Sequence, residues 1–278
     1  MTTLKEALAG KLDEREISIV PSSFEIVGDI IIFSDFPEEL KKKEKLIGET
    51  LLSLHKNVKV VAKKTGKYSG EFRTPKIRVI AGEKRKETTY RENNTVLKFN
   101  VEKVYFSSRL SEERKRIAGM VKPGEKVLVM FSGCGPYPLV IARNSRASAV
   151  FGIEKNPVAH RYALENIKLN KAKNVFLIKG DASAEAKKLA KKIKFDRILM
   201  PLPKGAEHFL PSCFSALKKG GIVHFYTFLK EEEIPDKAAN LIKKAVQKEK
   251  KKARIIAYRK CGHYSPAVYR VCIDFKVL

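Results

Sequence analysis

The residues Met130-Phe131-Ser132-Gly133-Cys134-Gly135 join an apolar run to a segment opened by Pro136. Two glycines spaced in this way let backbone amides approach a ligand where a side chain would obstruct it. Glu154 ends the next apolar run, at the distance where an acid accepts hydrogen bonds from ribose hydroxyls. Each part alone is a weak signal, and together they point to an adenosyl ligand. A dinucleotide fits less well, because Pro138 stands where a third glycine would admit a pyrophosphate, so S-adenosylmethionine is the expected cofactor. Asp181, in Lys179-Gly180-Asp181-Ala182 after a third run, is placed to reach the adenine edge. An Asp before a helix also serves as its N-cap, and both roles are open for it. His55, His160, His208, His224 and His263 are scattered without metal-ligand spacing, so no metal is expected and most read as surface or strand residues.

These residues need a sheet to hold them. From Lys126 onward the pattern alternates: KVLVMF, the glycine turn, AVFGIE, a helix from Pro157 to Asn170, NVFLIKGDA and FDRILMPLP. A helix near 205–218, a turn at Lys218-Lys219-Gly220-Gly221, the strand IVHFYTF, a Lys-rich helix, ARIIAYRK and VYRVCIDFKV follow. Strands and helices in this order predict an α/β, Rossmann-like domain with a seven-stranded, mostly parallel sheet. Upstream, Phe24 to Phe33 reads as one strand, 37–56 as a charged helical pattern, and 58–63 and 77–80 as further strands, which together describe a small α+β domain. SRLSEERKRIAGM over 108–120 reads as a short helix closed by Pro123-Gly124. The boundary is expected near 100–110, giving domains 1–105 and 106–278.

The chain's 278 residues carry 57 Lys and Arg against 31 Asp and Glu, a net charge of +26 that makes a polyanion, and nucleic acid first, the expected partner. The excess is uneven: residues 1–50 hold 7 bases and 11 acids, whereas residues 237–260 hold ten bases against one acid. That stretch reads equally as a solvated helix face or as a phosphate-binding surface. The four cysteines form no CxxC pair and no apolar run is long enough to span a bilayer, so a cytoplasmic protein with no membrane partner is expected.

Several motifs in order resemble the archaeal and eukaryotic type of tRNA (guanine-37-N1)-methyltransferase, with the wybutosine-pathway aminocarboxypropyl transferase as its sister. The resemblance is carried by Pro21 to Asp29, Gly70-Glu71-Phe72-Arg73, Ala81-Gly82-Glu83 with Glu87-Thr88-Thr89, and Lys103 to Leu110 continuing to Glu113-Arg114-Lys115-Arg116. It resumes at Phe131 to Pro136, Glu154-Lys155-Asn156-Pro157, Gly180-Asp181-Ala182, Met200 to Lys204, His224-Phe225-Tyr226 and Tyr264-Ser265-Pro266. It implies a class I methyltransferase domain preceded by a small α+β RNA-binding domain, acting on the anticodon stem-loop of tRNA as a monomer. Guanine N1 is a poor nucleophile until its proton is removed, and Glu113 stands at the position of the family's general base. Arg73 would stabilise the charge that spreads to O6. Phe131, Gly133, Gly135, Glu154, Lys155, Asp181, Ala182 and Pro201 would line the cofactor. Tyr105 or Phe106 would stack on a base, at least one of the two being a core residue, and Arg109, Arg114, Lys204 and the 237–260 cluster would contact phosphates.

Two positions depart from the family pattern. Val129 replaces an acid before the Met-Phe of the glycine loop, and Pro201 replaces the Asn of Asn-Leu-Pro, so that Lys204 or a backbone amide would have to donate instead. Methyl transfer is favoured over aminocarboxypropyl transfer by Ala206-Glu207-His208-Phe209-Leu210, by Gly135-Pro136-Tyr137, and by retention of both Arg73 and Glu113. A noncatalytic RNA-binding protein on the same scaffold is the third reading.

Overall fold

A computed structural model describes residues 2–66 and 70–278. The chain forms two compact units, one from residues 1–91 and 96–108, the other from 92–95 and 109–278. In the first, α1 (Leu4–Leu8) and α2 (Glu14–Ile19) each open with a capping box, Thr3 with Glu6 and Asp13 with Glu16. β1 (Glu25–Val27), β2 (Ile30–Phe33), α3 (Glu44–Leu54), β3 (Val60–Lys64) and β4 (Ile77–Gly82) follow. The strands form a sheet in the order β1-β2-β3-β4, with β2 and β3 parallel. Leu8, Ile31, Phe33, Leu40, Ile47, Leu51 and Val61 fill the core beneath it.

The single strand expected over Phe24 to Phe33 is a hairpin, because Gly28 turns the chain at φ +61° and Val27 pairs with Ile30. A Cβ on Gly28 would lie 2.2 Å from Thr88 Oγ1 and 2.5 Å from the Thr89 carbonyl oxygen. Thr88 donates to Asp29 Oδ1 at 2.8 Å, and Arg85 pairs with the same carboxylate, so the Glu83 and Thr88 motifs close over this turn. Gly28→Ala is expected to cost about 3 kcal/mol through overpacking, together with added backbone strain. Chemical denaturation checks it, and a loss below about 1 kcal/mol would mean the turn can relax.

β5 (Glu87–Glu92) and β6 (Thr95–Asn100) form a separate two-stranded ladder. They are joined by Asn93-Asn94 at φ +43° and +59°, the twin positive values of a tight hairpin turn.

The second unit contains α4 (Ser111–Met120), β7 (Lys126–Met130), α5 (Pro136–Asn144), β8 (Ala149–Glu154), α6 (Pro157–Leu169), β9 (Val175–Lys179) and α7 (Ala182–Ala190). It continues with β10 (Phe195–Met200), α8 (Leu210–Ala216), β11 (Leu217–Lys230), α9 (Asp236–Lys248), β12 (Ala253–Ser265) and β13 (Val268–Val277). The seven-stranded sheet runs β12-β13-β11-β10-β7-β8-β9, with β13 antiparallel to both neighbours and the other described pairings parallel. This is the Rossmann-like arrangement that the alternating pattern predicts. Leu128, Met130, Ile198, Met200, Val223, Phe225, Ile273 and Phe275 are buried in its core.

The turn expected at Lys218 to Gly221 lies inside β11. Phe195 pairs with Leu217 and Arg197 with Ile222, so a bulge takes up the extra residues, with Gly220 at φ +76°. Among the described residues no helix is long and apolar enough to cross a membrane.

Candidate active site

Parallel strands bring the glycine loop and Glu154 together at the carboxyl edge of β7 and β8, where open α/β sheets bind ligands. Phe131 turns the chain at φ +62°, Gly133 at +58° and Gly135 at +91°, the last as N-cap of α5. Gly133 N–H donates to Glu154 Oε2 and Asn156 N–H to Oε1, both at 2.7 Å, so two backbone amides aim the carboxylate across the loop. Burial pushes the Glu154 carboxyl up from its ordinary value, against the backbone N–H groups of Asn156, Gly133 and Lys155.

Gly152 allows the close approach behind the loop: a Cβ there would lie 2.6 Å from Leu177 Cδ2 and 3.0 Å from Ser132 Cβ. Ser132 Oγ is buried and has no hydrogen-bond partner among the described residues. A glycine cradle with a carboxylate fixed across it by two backbone amides fits an adenosyl ligand with a ribose diol. Lys155 is exposed, Ala182 is buried at the start of α7, and Pro201 is half-buried just after β10. Asp181 is an N-cap, its Oδ1 accepting from Ser183 and Ala184 N–H at 3.0 Å each.

Glu113 lies on α4, 8 % exposed. Its Oε2 accepts from Arg116 Nε at 2.7 Å, and its Oε1 accepts from Arg116 Nη2 at 2.8 Å and from Tyr226 O–H at 2.6 Å. A carboxylate has about four lone-pair sites, and the Cys261 thiol, a weak donor, also hydrogen-bonds this one beside the three stronger donors. Tyr137 O–H donates to Tyr226 at 3.1 Å, and Arg116 Nη1 reaches Asp274 Oδ2 at 2.7 Å. Beyond Asp274 stands His224, fully buried. Arg197 Nη1 lies 2.7 Å from His224 Nε2, and a guanidinium can only donate, so Nε2 accepts. The ring proton therefore sits on Nδ1 and is donated to Asp274 Oδ1 at 2.6 Å. Arg197 itself is held by Glu125 at 2.8 Å.

His224, Cys272 and Asp274 bring three possible ligand atoms within 4.8 Å of one another. Both His224 nitrogens are committed and two guanidinium groups touch the cluster, so its chemistry is that of a buried hydrogen-bond relay. Nothing local in the sequence announces this relay, which joins residues from 113 to 274.

Arg114, expected at a phosphate, is 2 % exposed and bonds the Glu92 carboxylate with two of its nitrogens. It is a structural ion pair, because α4 turns its charge inward against the tip of the β5–β6 hairpin. Arg109 and Lys204 are exposed. Tyr105 is 39 % exposed, whereas Phe106 packs on Phe99 at 4.6 Å and Tyr90 at 5.0 Å, which gives the core role to Phe106. Arg73, half-buried in the first unit, stands at φ +50° with its N–H donating to Gly70 O at 3.2 Å.

A glycine cradle facing an acid, at the carboxyl edge of a sheet in this order, defines a Rossmann-like methyltransferase. The chain belongs to the TRM5/TYW2 family: residues 88–256 match the TRM5/TYW2 methyltransferase domain and residues 4–85 the TYW2 N-terminal domain. It is 42% identical over 258 residues to the tRNA (guanine(37)-N(1))-methyltransferase Trm5b of Pyrococcus abyssi, covering 93% of this chain and 76% of that protein. Among solved structures, a complex of aTrm5 with tRNALeu aligns at TM-score 0.82 and 30% identity, covering 99% of this chain and 78% of that one. TYW2 of P. horikoshii in complex with MeSAdo aligns at TM-score 0.82 and 26% identity, covering 99% and 98%.

Proposed function

We propose that the protein transfers the methyl group of S-adenosylmethionine to N1 of guanine 37 in the anticodon loop of tRNA, acting as a cytoplasmic monomer. The observation that carries this reading is Glu113, a carboxylate fixed by Arg116 and Tyr226 at 2.6–2.8 Å, in a chain 42% identical to a guanine-37 N1-methyltransferase. The cofactor supplies an electrophilic methyl group when bound. Glu113 takes the N1 proton, and Arg73 meets the charge that spreads to O6. Tyr105 stacks on a base of the loop, while Arg109, Lys204 and the lysines of 237–260 contact phosphates. Phe131, Gly133, Gly135, Lys155, Asp181, Ala182 and Pro201 line the cofactor, and Glu154 accepts from its ribose hydroxyls. Glu154→Ala is expected to weaken S-adenosylmethionine binding about tenfold to a hundredfold, since one or two hydrogen bonds to a charged acceptor are lost. Calorimetric titration reads this directly, and unchanged affinity would remove Glu154 from the cofactor site.

Aminocarboxypropyl transfer is the second reading, favoured by the match of residues 4–85 to the TYW2 N-terminal domain. The deciding experiment incubates the protein with unmodified tRNA bearing guanine 37 and with cofactor labelled separately in the methyl group and the carboxypropyl chain. Methyl label on guanine N1 supports the proposal. Carboxypropyl label in the RNA supports the sister reaction, and no label despite bound cofactor supports an RNA-binding role.

A further inference from the structure

The sheet face that bears the relay continues beyond it. In the antiparallel pairing of β11 with β13, His224 stands opposite Asp274, Tyr226 opposite Cys272, and Phe228 opposite Arg270. Alternate residues of a strand share a face, so Phe228 and Arg270 are the next rung after Tyr226, about 7 Å along. There the ring of Tyr264, from the end of β12, lies on Phe228 with centroids 4.1 Å apart and planes at 31°. The Arg270 guanidinium stands 5.7 Å from the same Phe228 ring. Tyr264 is 66 % exposed. One side of its ring is covered by Phe228, and burial does not account for a large aromatic left so open.

We propose that Tyr264, backed by Phe228, is a stacking platform for the nucleobase adjacent to the one that reaches Glu113. The inference rests on the reading of RNA as substrate, and it adds a second base-binding position to that site. Three features select an unpaired nucleobase over other occupants. An exposed ring stacked on a second ring that has a cation 5.7 Å from it suits a flat π-system on a phosphate chain. The platform is continuous with the relay that holds Glu113, at a separation one extended nucleotide can span. The chain's charge of +26 favours a polyanion over a cationic or apolar partner.

Stacking on aromatic side chains tolerates any base, so the platform orders the loop and leaves the choice of target to the contacts around Glu113. Tyr264→Ala is then expected to raise the KM for tRNA about tenfold with kcat within about twofold, and Tyr264→Phe to restore the parent value. Cofactor affinity and thermal stability should be unchanged in both variants.

The direct test places 5-iodouridine in tRNA on one side of guanine 37 and then on the other, irradiates the complex and maps the cross-linked peptide. A cross-link to Tyr264 from one of the two positions, lost in Tyr264→Ala, is the expected result. Cross-links that form only elsewhere, or an Ala variant that loses cofactor binding or stability along with tRNA affinity, would overturn the platform. A parent protein that neither cross-links nor transfers either group to RNA would overturn the substrate reading itself, an outcome separable from the first by the labelled-cofactor experiment.

Discussion

Glu113→Gln is expected to slow methyl transfer in a single turnover by roughly a hundredfold to ten-thousandfold, the span a positioned general base contributes. Shape is preserved in this variant, and what it loses is the ability to take the N1 proton. The amide keeps one acceptor oxygen for Arg116 and Tyr226, and Arg116 retains Asp274 at 2.7 Å, so the relay is not left without a counter-charge. Filter binding should accordingly give tRNA affinity within a few-fold of the parent, and calorimetry an unchanged cofactor affinity. If rate and binding fall together, Glu113 serves as a brace for α4 and the proton goes elsewhere.

Asp274→Ala is expected to lose about 3–5 kcal/mol of folding stability, because it removes one partner of a buried ionic network and leaves the others uncompensated. Asp274 accepts from His224 at 2.6 Å and from Arg116 at 2.7 Å, and its removal strands the His224 Nδ1 proton in a dry core. Burial alone would raise the Asp274 carboxyl, but the hydrogen bond from His224 and the Arg116 guanidinium hold it well below the ordinary carboxylate range. A depressed acid stabilises the fold above its unfolded value of about 3.9, and that contribution fades as the pH falls below it.

His224 acts with the same sign at higher pH. Burial lowers its pKa in spite of Asp274, so the unfolded chain takes up the proton more readily, and stability falls as the pH drops below about 6.5. His160, also lowered by burial and by Lys179, adds to that slope. Urea unfolding followed from pH 8 to pH 5 should show it, and His224→Gln should flatten it to the part His160 supplies. A parent protein whose stability rises as the pH drops through that range would show that His224 is charged in the fold, and the tautomer assigned to it would be wrong.

The cofactor cradle was legible because its parts are local: two glycines after one strand and an acid ending the next, brought together by parallel pairing of β7 and β8. Other elements were misread where a local signal stood for something the tertiary structure decides. Phe24 to Phe33 is mostly apolar, and Gly28 divides it with a left-handed turn whose lack of room for a side chain is set by Thr88 and Thr89, sixty residues on. Lys218 to Gly221 carries turn residues that a bulge absorbs within the sheet. Glu87 to Glu92 has too few apolar residues to announce a strand, although Asn93-Asn94 was a readable turn signal. His224 read as a strand or surface residue, and the other members of its relay, Arg197, Asp274 and Arg116, lie 27, 50 and 108 positions from it in sequence. Arg114 looked like its basic neighbours, and only the fold shows which of them faces Glu92.

The pairing of Arg114 with Glu92 bears on how this chain can be divided. Residues 92–95 belong by their contacts to the unit formed by 109–278, although residues 96–108 between them belong to the other. A gene fragment opened anywhere from 100 to 110 would encode the whole seven-stranded sheet and still leave a buried guanidinium without its counter-ion. The match to the methyltransferase domain begins at residue 88, before the hairpin tip, and that is where a transferable cassette would have to be cut. Inheritance of the catalytic half is therefore bound to a turn that the linear order of the chain assigns to its neighbour.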